Sequence, residues 1–86
     1  MPLDKYREEI DDIDRQLVEL LIKRIDCSQK IGLYKKEHHL AVFDLSREEA
    51  IVQEKIRLFA EKGLDDPSFV RKLYVVIFDK SREMQK

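Results

Sequence analysis

Two basic residues lie on one face of a long N-terminal helix that the residue spacing predicts. Arg24 and Lys35 are eleven residues apart, so they point within about 20° of each other and lie about 16 Å apart along the axis. Arg24 interrupts an apolar stripe, where an unpartnered guanidinium would destabilise the fold by about 3–5 kcal/mol. The position therefore predicts either a structural carboxylate partner or a bound ligand anion, and Lys35 can serve the same site.

Five further polar residues are grouped by helical geometry. Asp44, Arg47 and Glu48 cluster at the start of a second predicted helix, where backbone N–H groups also point outward. Ser81 and Gln85 are an i, i+4 pair that faces one way on a third helix. Arg47, like Lys35 and Arg7, also has a simpler interpretation as a solvated charge on a helix face, and Ser81 and Gln85 have one as residues at a fraying chain end.

Arg7 is the basic residue whose placement depends on a second chain. It precedes Arg24 by seventeen residues, which puts it about 100° out of phase and about 25 Å away on one helix. Arg7 cannot easily share the site of Arg24 within its own chain. In an antiparallel or crossed dimer it could reach the partner's site.

The first helix is predicted from Leu3 to Lys36, because no proline falls in that range and Gly32 is its only glycine. Its stripe alternates steps of four and three residues, which is the spacing of a helix that packs on another helix. The stripe consists of Tyr6, Ile10, Ile13, Leu17, Leu20, Arg24, Cys27, Ile31 and Tyr34. Such a helix would be about 50 Å long, whereas a compact chain of this length is about 30 Å across. We therefore expect an intertwined homodimer in which a second chain covers the stripe.

Two shorter helices are predicted after the first. The segment Ser46-Arg47-Glu48-Glu49 matches a capping box, so a second helix is expected to begin at about Arg47 and to end near Gly63. Asp66-Pro67 matches an N-cap followed by proline, so a third helix is expected from about Pro67 to Met84, with Val70, Leu73, Tyr74 and Ile77 buried. The fold class is all-α, with residues 1–86 as one three-helix domain.

Composition excludes several classes of protein. A net charge of −1 with 41% charged residues does not favour nucleic-acid or membrane-surface binding, since both need a basic excess on one face. No segment has the length and apolarity of a membrane span or the pattern of a signal peptide, so a cytoplasmic location is expected. Cys27 is the only cysteine and reads as an apolar filler. His38 and His39 are adjacent and lack metal-ligand spacing, so no metal site is predicted.

The polar residues taken in chain order resemble a known enzyme family. The set is Arg7, Arg24, Gly32-x-x-Lys35, Asp44-x-x-Arg47-Glu48 and Ser81-x-x-x-Gln85. No single motif is specific, but their order and spacing, from about Leu3 to Gln85, are similar to those of the all-helical chorismate mutases of the AroQ class. The resemblance implies an intertwined homodimer with two sites, each built from both chains. It also implies conversion of chorismate to prephenate by a Claisen-type rearrangement, without cofactor, metal or nucleophile, in the synthesis of phenylalanine and tyrosine.

The resemblance implies roles for the donors. Arg24 and the partner's Arg7 would hold the two carboxylates of chorismate, with Ser81 assisting, so that the substrate adopts its compact diaxial conformation. Lys35 and Gln85 would donate hydrogen bonds to the ether oxygen. This oxygen gains negative charge in the transition state, because the C–O bond breaks ahead of C–C formation.

The start of the second helix would hold the ring hydroxyl. By resemblance, Glu48 binds this hydroxyl together with the backbone near Asp44, and Arg47 helps to fix Glu48 and the substrate. Position 43 departs from the pattern, because some relatives have arginine where this chain has Phe43. One peripheral contact to the substrate is therefore expected to be missing.

Two other functions are compatible with the same residues. An isochorismate-pyruvate lyase shares this fold and binds a similar dianion, although the Glu48, Ser81 and Gln85 positions favour the mutase. A non-catalytic helical dimerisation or regulatory module would also explain the apolar stripe. That second alternative predicts that Arg24 is paired internally and that the fold has no cavity.

Overall fold

The protein folds into three helices and no strands. The computed structural model describes residues 1–86, and the helices are α1 at Pro2–Glu37, α2 at Leu45–Glu61 and α3 at Pro67–Gln85. The molecule measures 56 × 24 × 16 Å because α1 extends well beyond the other two helices. The prediction of an all-α, three-helix chain with one long N-terminal helix is confirmed. None of the helices combines the length and apolarity needed to cross a membrane.

The N-terminus of α3 is capped as predicted, whereas that of α2 is not. The Asp66 carboxylate accepts a hydrogen bond from the Phe69 N–H at 3.1 Å. For α2 the N-cap is Asp44, which accepts from the Arg47 N–H at 3.1 Å, and the helix begins at Leu45. The prediction of Ser46 as the cap was wrong, since its hydroxyl instead donates to Asp44 at 3.1 Å. An aspartate two residues upstream offers a charged acceptor, which favours it as the cap.

Glu49, expected to complete a capping box, instead joins α2 to α3. Its two carboxylate oxygens accept from the Arg71 guanidinium at 2.8 and 2.9 Å. Hydrogen bonds from Arg71 and then Gln53 lower the pKa of Glu49 to about 2. Both partners of the pair are about half exposed, so solvent screens the attraction and its contribution to stability is modest. The pair links α2 to α3 at the surface.

The hydrophobic core is small and lies where α3 packs against the other two helices. Its buried apolar residues are Val52, Val70 and Phe78. Tyr74 and Ile77 are half-buried. The prediction that Leu73 is buried was wrong, because this side chain lies at the edge of the α1–α3 contact and is 37% exposed.

The N-terminal part of α1 has no neighbour in this chain. Every residue from 1 to 23 is exposed, including the apolar stripe residues Ile10, Ile13 and Leu17. The chain exposes 7076 Å², whereas a compact protein of 10.3 kDa would expose about 5,400 Å². Half of the long helix therefore presents an uncovered apolar face.

Candidate active site

A cavity of about 520 Å³ opens between α1, α3 and the start of α2. Every site residue predicted from the sequence lines it except Arg7. The predicted residues in the lining are Arg24, Lys35, Asp44, Arg47, Glu48, Ser81 and Gln85. Three helices that are distant in sequence thus bring their polar residues to one place.

The cavity is positively charged although the chain has a net charge of −1. Its lining includes four cationic side chains and two carboxylates, which leaves a local charge of +2. The cations are Arg24, Lys35, Arg47 and Arg82, and the carboxylates belong to Asp44 and Glu48. Converging cationic side chains in a concave site raise the local concentration of an anionic ligand. The charge of the lining therefore favours a small anionic ligand.

Arg24 faces this cavity from a half-buried position on α1. Its guanidinium makes no ion pair with any carboxylate of the chain. The sequence predicts either a structural carboxylate or a ligand anion as the partner of Arg24. The chain supplies no such carboxylate. The observation also contradicts the non-catalytic module, which requires an internally paired Arg24 and no cavity.

Lys35 and Gln85 meet on one wall of the cavity. The Lys35 Nζ donates to Gln85 Oε1 at 2.8 Å and to the Val42 carbonyl at 3.0 Å. An ammonium has three donors and an amide nitrogen has two. Lys35 therefore keeps one free N–H, and Gln85, whose Nε2 donates once at 3.4 Å, keeps another. Lys36, the adjacent lysine, is exposed and does not line the cavity.

A directed chain of hydrogen bonds continues from Gln85 into the protein. The Gln85 Nε2 donates to Ser81 Oγ, which lies 2.7 Å from Ser28 Oγ, and Ser28 Oγ donates to the Arg24 carbonyl at 3.1 Å. The Ser28 hydroxyl has one proton, which it donates to the Arg24 carbonyl. In the bond between the two serines, Ser81 is therefore the donor and Ser28 the acceptor. The role expected for Ser81, assisting at a substrate carboxylate, needs this same proton. In this structure the Ser81 hydroxyl also accepts from Gln85 Nε2, which helps to orient that amide; its role at a substrate carboxylate stays a prediction.

Gly32 allows the last turn of α3 to reach the site. A Cβ built on Gly32 would lie 2.6 Å from both the Cα and the carbonyl oxygen of Gln85, which is closer than non-bonded atoms can approach. The contact is with backbone and not with a flexible side chain, so it cannot be relieved by a rotamer change. Gly32 therefore lets Gln85 stay buried, at 8% exposure, one residue from the end of the chain.

Replacing Gly32 by alanine is expected to push the last turn of α3 away from α1. The bond between Lys35 and Gln85 would then be lost. For chorismate, the substrate that the sequence resemblance implies, we expect kcat to fall at least about tenfold, since one donor missing from a developing oxyanion costs about 10²–10³. Alanine favours the helical state of α1 by about 1 kcal/mol, so the helical content is expected to stay intact. Steady-state kinetics and circular dichroism test this prediction.

Gly63 offers a control with the opposite signature. This residue follows the C-terminus of α2 with φ at +102°, and a Cβ built on it would meet open space. Alanine there is strained by about 1–2 kcal/mol, which lowers the melting temperature by several degrees, but the cavity is untouched. If Gly32→Ala loses stability and keeps its kcat, the close approach of α1 and α3 matters only for folding.

Glu48 is held by an arginine that the sequence reasoning did not select. Its Oε2 accepts from Nη1 of Arg82 on α3, and both side chains are about one-fifth exposed. The expected role of Arg47 in fixing Glu48 is thus taken by Arg82, because Arg47 is exposed and its side chain makes no hydrogen bond in the chain. The bond to Glu48, helped by Asp79, raises the pKa of Arg82 above its already high ordinary value.

Phe43 has a defined contact on the cavity rim. The Arg82 guanidinium carbon lies 5.0 Å from the centre of the Phe43 ring, within the range of a cation–π contact. A cation from α3 thus lies beside position 43, where the family resemblance implies an arginine in some relatives. Asp44, expected near the ring hydroxyl, uses its carboxylate as the α2 cap. The N–H of Arg47, followed by the Ser46 hydroxyl, lowers the pKa of Asp44.

Arg7 and the histidines lie outside the cavity. Arg7 is exposed on the free part of α1, as its phase and distance from Arg24 predict. His38 stacks on Tyr34 with ring centres 4.0 Å apart. The chain has no group of three or more His, Cys, Asp or Glu side chains that could hold a metal ion.

Two residues of the site were missed from sequence. Ser28 is buried at 3% exposure and was detectable in principle, because it lies four residues after Arg24 on the same face. Arg82 carried no such signal, since a charged residue near a chain end usually faces solvent. Only its contact with α2 reveals its place.

The fold and the cavity define an all-helical protein with a cationic, donor-rich cavity that suits a small anionic ligand. Residues 6–86 match the family described as chorismate mutase type II, and the chain belongs to that family. It is 40% identical over 61 residues to the T-protein of Haemophilus influenzae, covering 71% of this chain and 16% of that protein. It is 33% identical over 75 residues to the 4-amino-4-deoxychorismate mutase of Streptomyces venezuelae, covering 87% and 72%.

A solved structure shares the whole architecture. It is a conserved hypothetical protein from Pyrococcus furiosus, with a TM-score of 0.80 and 32% identity, matched over 100% of this chain and 97% of the other. The T-protein, by contrast, is much longer than this chain, which spans only about a sixth of its length. The remaining parts of that relative have no counterpart in these 86 residues.

Proposed function

We propose that this chain is a chorismate mutase that rearranges chorismate to prephenate in aromatic amino-acid synthesis. The observation that supports this most is the pair of free donors on Lys35 and Gln85, which converge on a cavity with a net charge of +2. An intramolecular rearrangement needs its substrate held in one conformation and its developing charge stabilised, and these groups supply both.

In the proposed reaction, the cationic side chains bind the substrate carboxylates and the free N–H groups stabilise the transition state. Arg24 binds one carboxylate of the dianion and the partner's Arg7 binds the other, which brings the enolpyruvyl carbon over the ring. As the C–O bond lengthens, the ether oxygen becomes negative and accepts the free N–H groups of Lys35 and Gln85. These donors are already oriented by the hydrogen bonds to Val42 and Ser81, so little reorganisation is needed in the transition state.

An intertwined homodimer in the cytoplasm completes the proposal. The isolated chain exposes about 1,700 Å² more than a compact protein of its mass, about twice what one partner buries in a standard interface. The uncovered stripe on α1 and the position of Arg7 outside its own cavity both favour a partner that packs along α1. Each site would then be closed by the second chain.

The test is a direct assay of the purified protein. Loss of chorismate absorbance is followed at neutral pH without added metal, and the product is identified as prephenate by its acid-catalysed conversion to phenylpyruvate. A folded protein that leaves chorismate unchanged would refute the proposed function. Release of pyruvate from isochorismate, measured in parallel, separates the lyase from the mutase.

A second candidate is the reaction named for the Streptomyces relative, in which the substrate carries an amino group in place of the ring hydroxyl. The same carboxylate clamps and ether-oxygen donors would serve it. The two substrates differ only at the substituent that Glu48 is proposed to bind, so the surroundings of Glu48 decide between them.

A further inference from the structure

Arg82 is the one cation of the cavity that neither the sequence pattern nor the proposed mechanism uses. It is held from three sides. Its guanidinium donates hydrogen bonds to Glu48 of α2 and to Asp79, one turn earlier on α3. It also lies over the ring of Phe43, a residue of the connection between α1 and α2. A long flexible side chain with three fixed contacts has one orientation.

The contact with Arg82 leaves the two carboxylate oxygens of Glu48 in different environments. Oε2 accepts from Arg82, whereas Oε1 has no hydrogen-bond partner in the chain. Both residues line the cavity. The carboxylate therefore offers one acceptor to a ligand, while its negative charge is balanced at short range by the guanidinium.

We infer that Arg82 is a specificity-determining residue, whose charge makes the site choose a neutral hydroxyl over an amine at the ring substituent of the substrate. This inference rests on the proposed function, in which Glu48 binds that substituent.

The physical reason is a difference in charge between the two substituents. A hydroxyl is neutral and donates one hydrogen bond to Oε1, which is what the paired carboxylate offers. An alkyl amine is protonated at neutral pH, and it would enter beside the Arg82 guanidinium. Like charges side by side in a partly desolvated site are unfavourable, and the carboxylate that could compensate is already paired. Without Arg82, the same carboxylate would attract the ammonium.

The experiment compares kcat/KM for chorismate and for 4-amino-4-deoxychorismate in wild type, Arg82→Met, Arg82→Lys and Arg57→Met. Arg57 is exposed on α2 and makes no hydrogen bond or ion pair, so Arg57→Met is a matched loss of one arginine. We expect wild type to prefer chorismate and Arg82→Met to shift the ratio of the two kcat/KM values at least about tenfold toward the amino substrate. Arg82→Lys keeps the charge and is expected to keep the preference, as is Arg57→Met.

The outcomes separate this inference from the proposed function. Absence of chorismate turnover in folded wild-type protein refutes the proposed function, and the inference with it. Turnover by wild type with the same substrate ratio in Arg82→Met as in Arg57→Met refutes the inference alone. An equal change in Arg82→Lys and Arg82→Met also refutes it, since the side chain would then act by packing and not by charge. If Arg82→Met lacks the wild-type helical content, the ratio of the two kcat/KM values is measured for Arg82→Gln and replaces it in the comparison.

Discussion

Lys35→Ala is expected to lower kcat for chorismate by about 10²–10³-fold, which is the typical cost of one donor lost from a developing oxyanion. The Lys35 ammonium is held in place, because two of its three N–H groups donate to Gln85 and to the Val42 carbonyl. Truncation removes the third N–H and also releases the Gln85 amide. KM is expected to rise as well, since one positive charge of the cavity is lost, but the larger effect falls on kcat.

The adjacent lysine provides the control for this prediction. Lys36 is exposed in the last turn of α1, so Lys36→Ala removes the same charge one residue away and leaves the cavity intact. Its kinetics are expected to match wild type, and circular dichroism is expected to show full helicity in both variants, because alanine favours the helix. Near-normal turnover by Lys35→Ala would mean that the ether oxygen is stabilised elsewhere.

Mixing inactive Arg7→Ala chains with inactive Lys35→Ala chains is expected to restore about a quarter of wild-type activity. Random pairing puts half of the molecules into heterodimers, and each heterodimer has one site with both residues intact and one with neither. The physical basis is that Arg7 lies on the exposed part of α1, about 25 Å along the helix from Arg24. The measurement is the chorismate assay after the two variants are unfolded together and refolded.

A second mixture controls for recovery by other routes. Arg24→Ala and Lys35→Ala both alter the cavity of their own chain, so every site in that mixture keeps one lesion and stays inactive. Sedimentation of the refolded samples checks that dimers have formed. Recovery in neither mixture, with dimers present, would show that Arg7 does not act across the interface.

The hydrogen bonds of the site also explain why its parts are expected to fail together. Gln85 is held by Lys35 from α1 and by Ser81 from its own helix, and Gly32 leaves the space for its backbone. A change at any of these positions moves the same amide group. The effects of such changes in combination are therefore expected to be less than additive.

Much of this protein was determined by its sequence alone, because the responsible interactions are local. Helical periodicity and the absence of proline specify α1, and Asp66-Pro67 starts α3 as predicted. The phase of 100° per residue was enough to put Arg24 and Lys35 on one face and to leave Arg7 outside. Between Asp44 and Ser46 the local signals compete, and here the cap of α2 was predicted two residues late.

The tertiary structure decided which polar groups pair, since pairing depends on how α3 is set against α1 and α2. Glu48 meets Arg82 across 34 residues, and Ser28 meets Ser81 across 53. No helical period in one segment specifies the register of another that packs on it; side-chain packing and the close approach at Gly32 do so. The types and spacing of most cavity residues are specified by the sequence, but the contact of Arg82 with Glu48 is known only from the folded molecule.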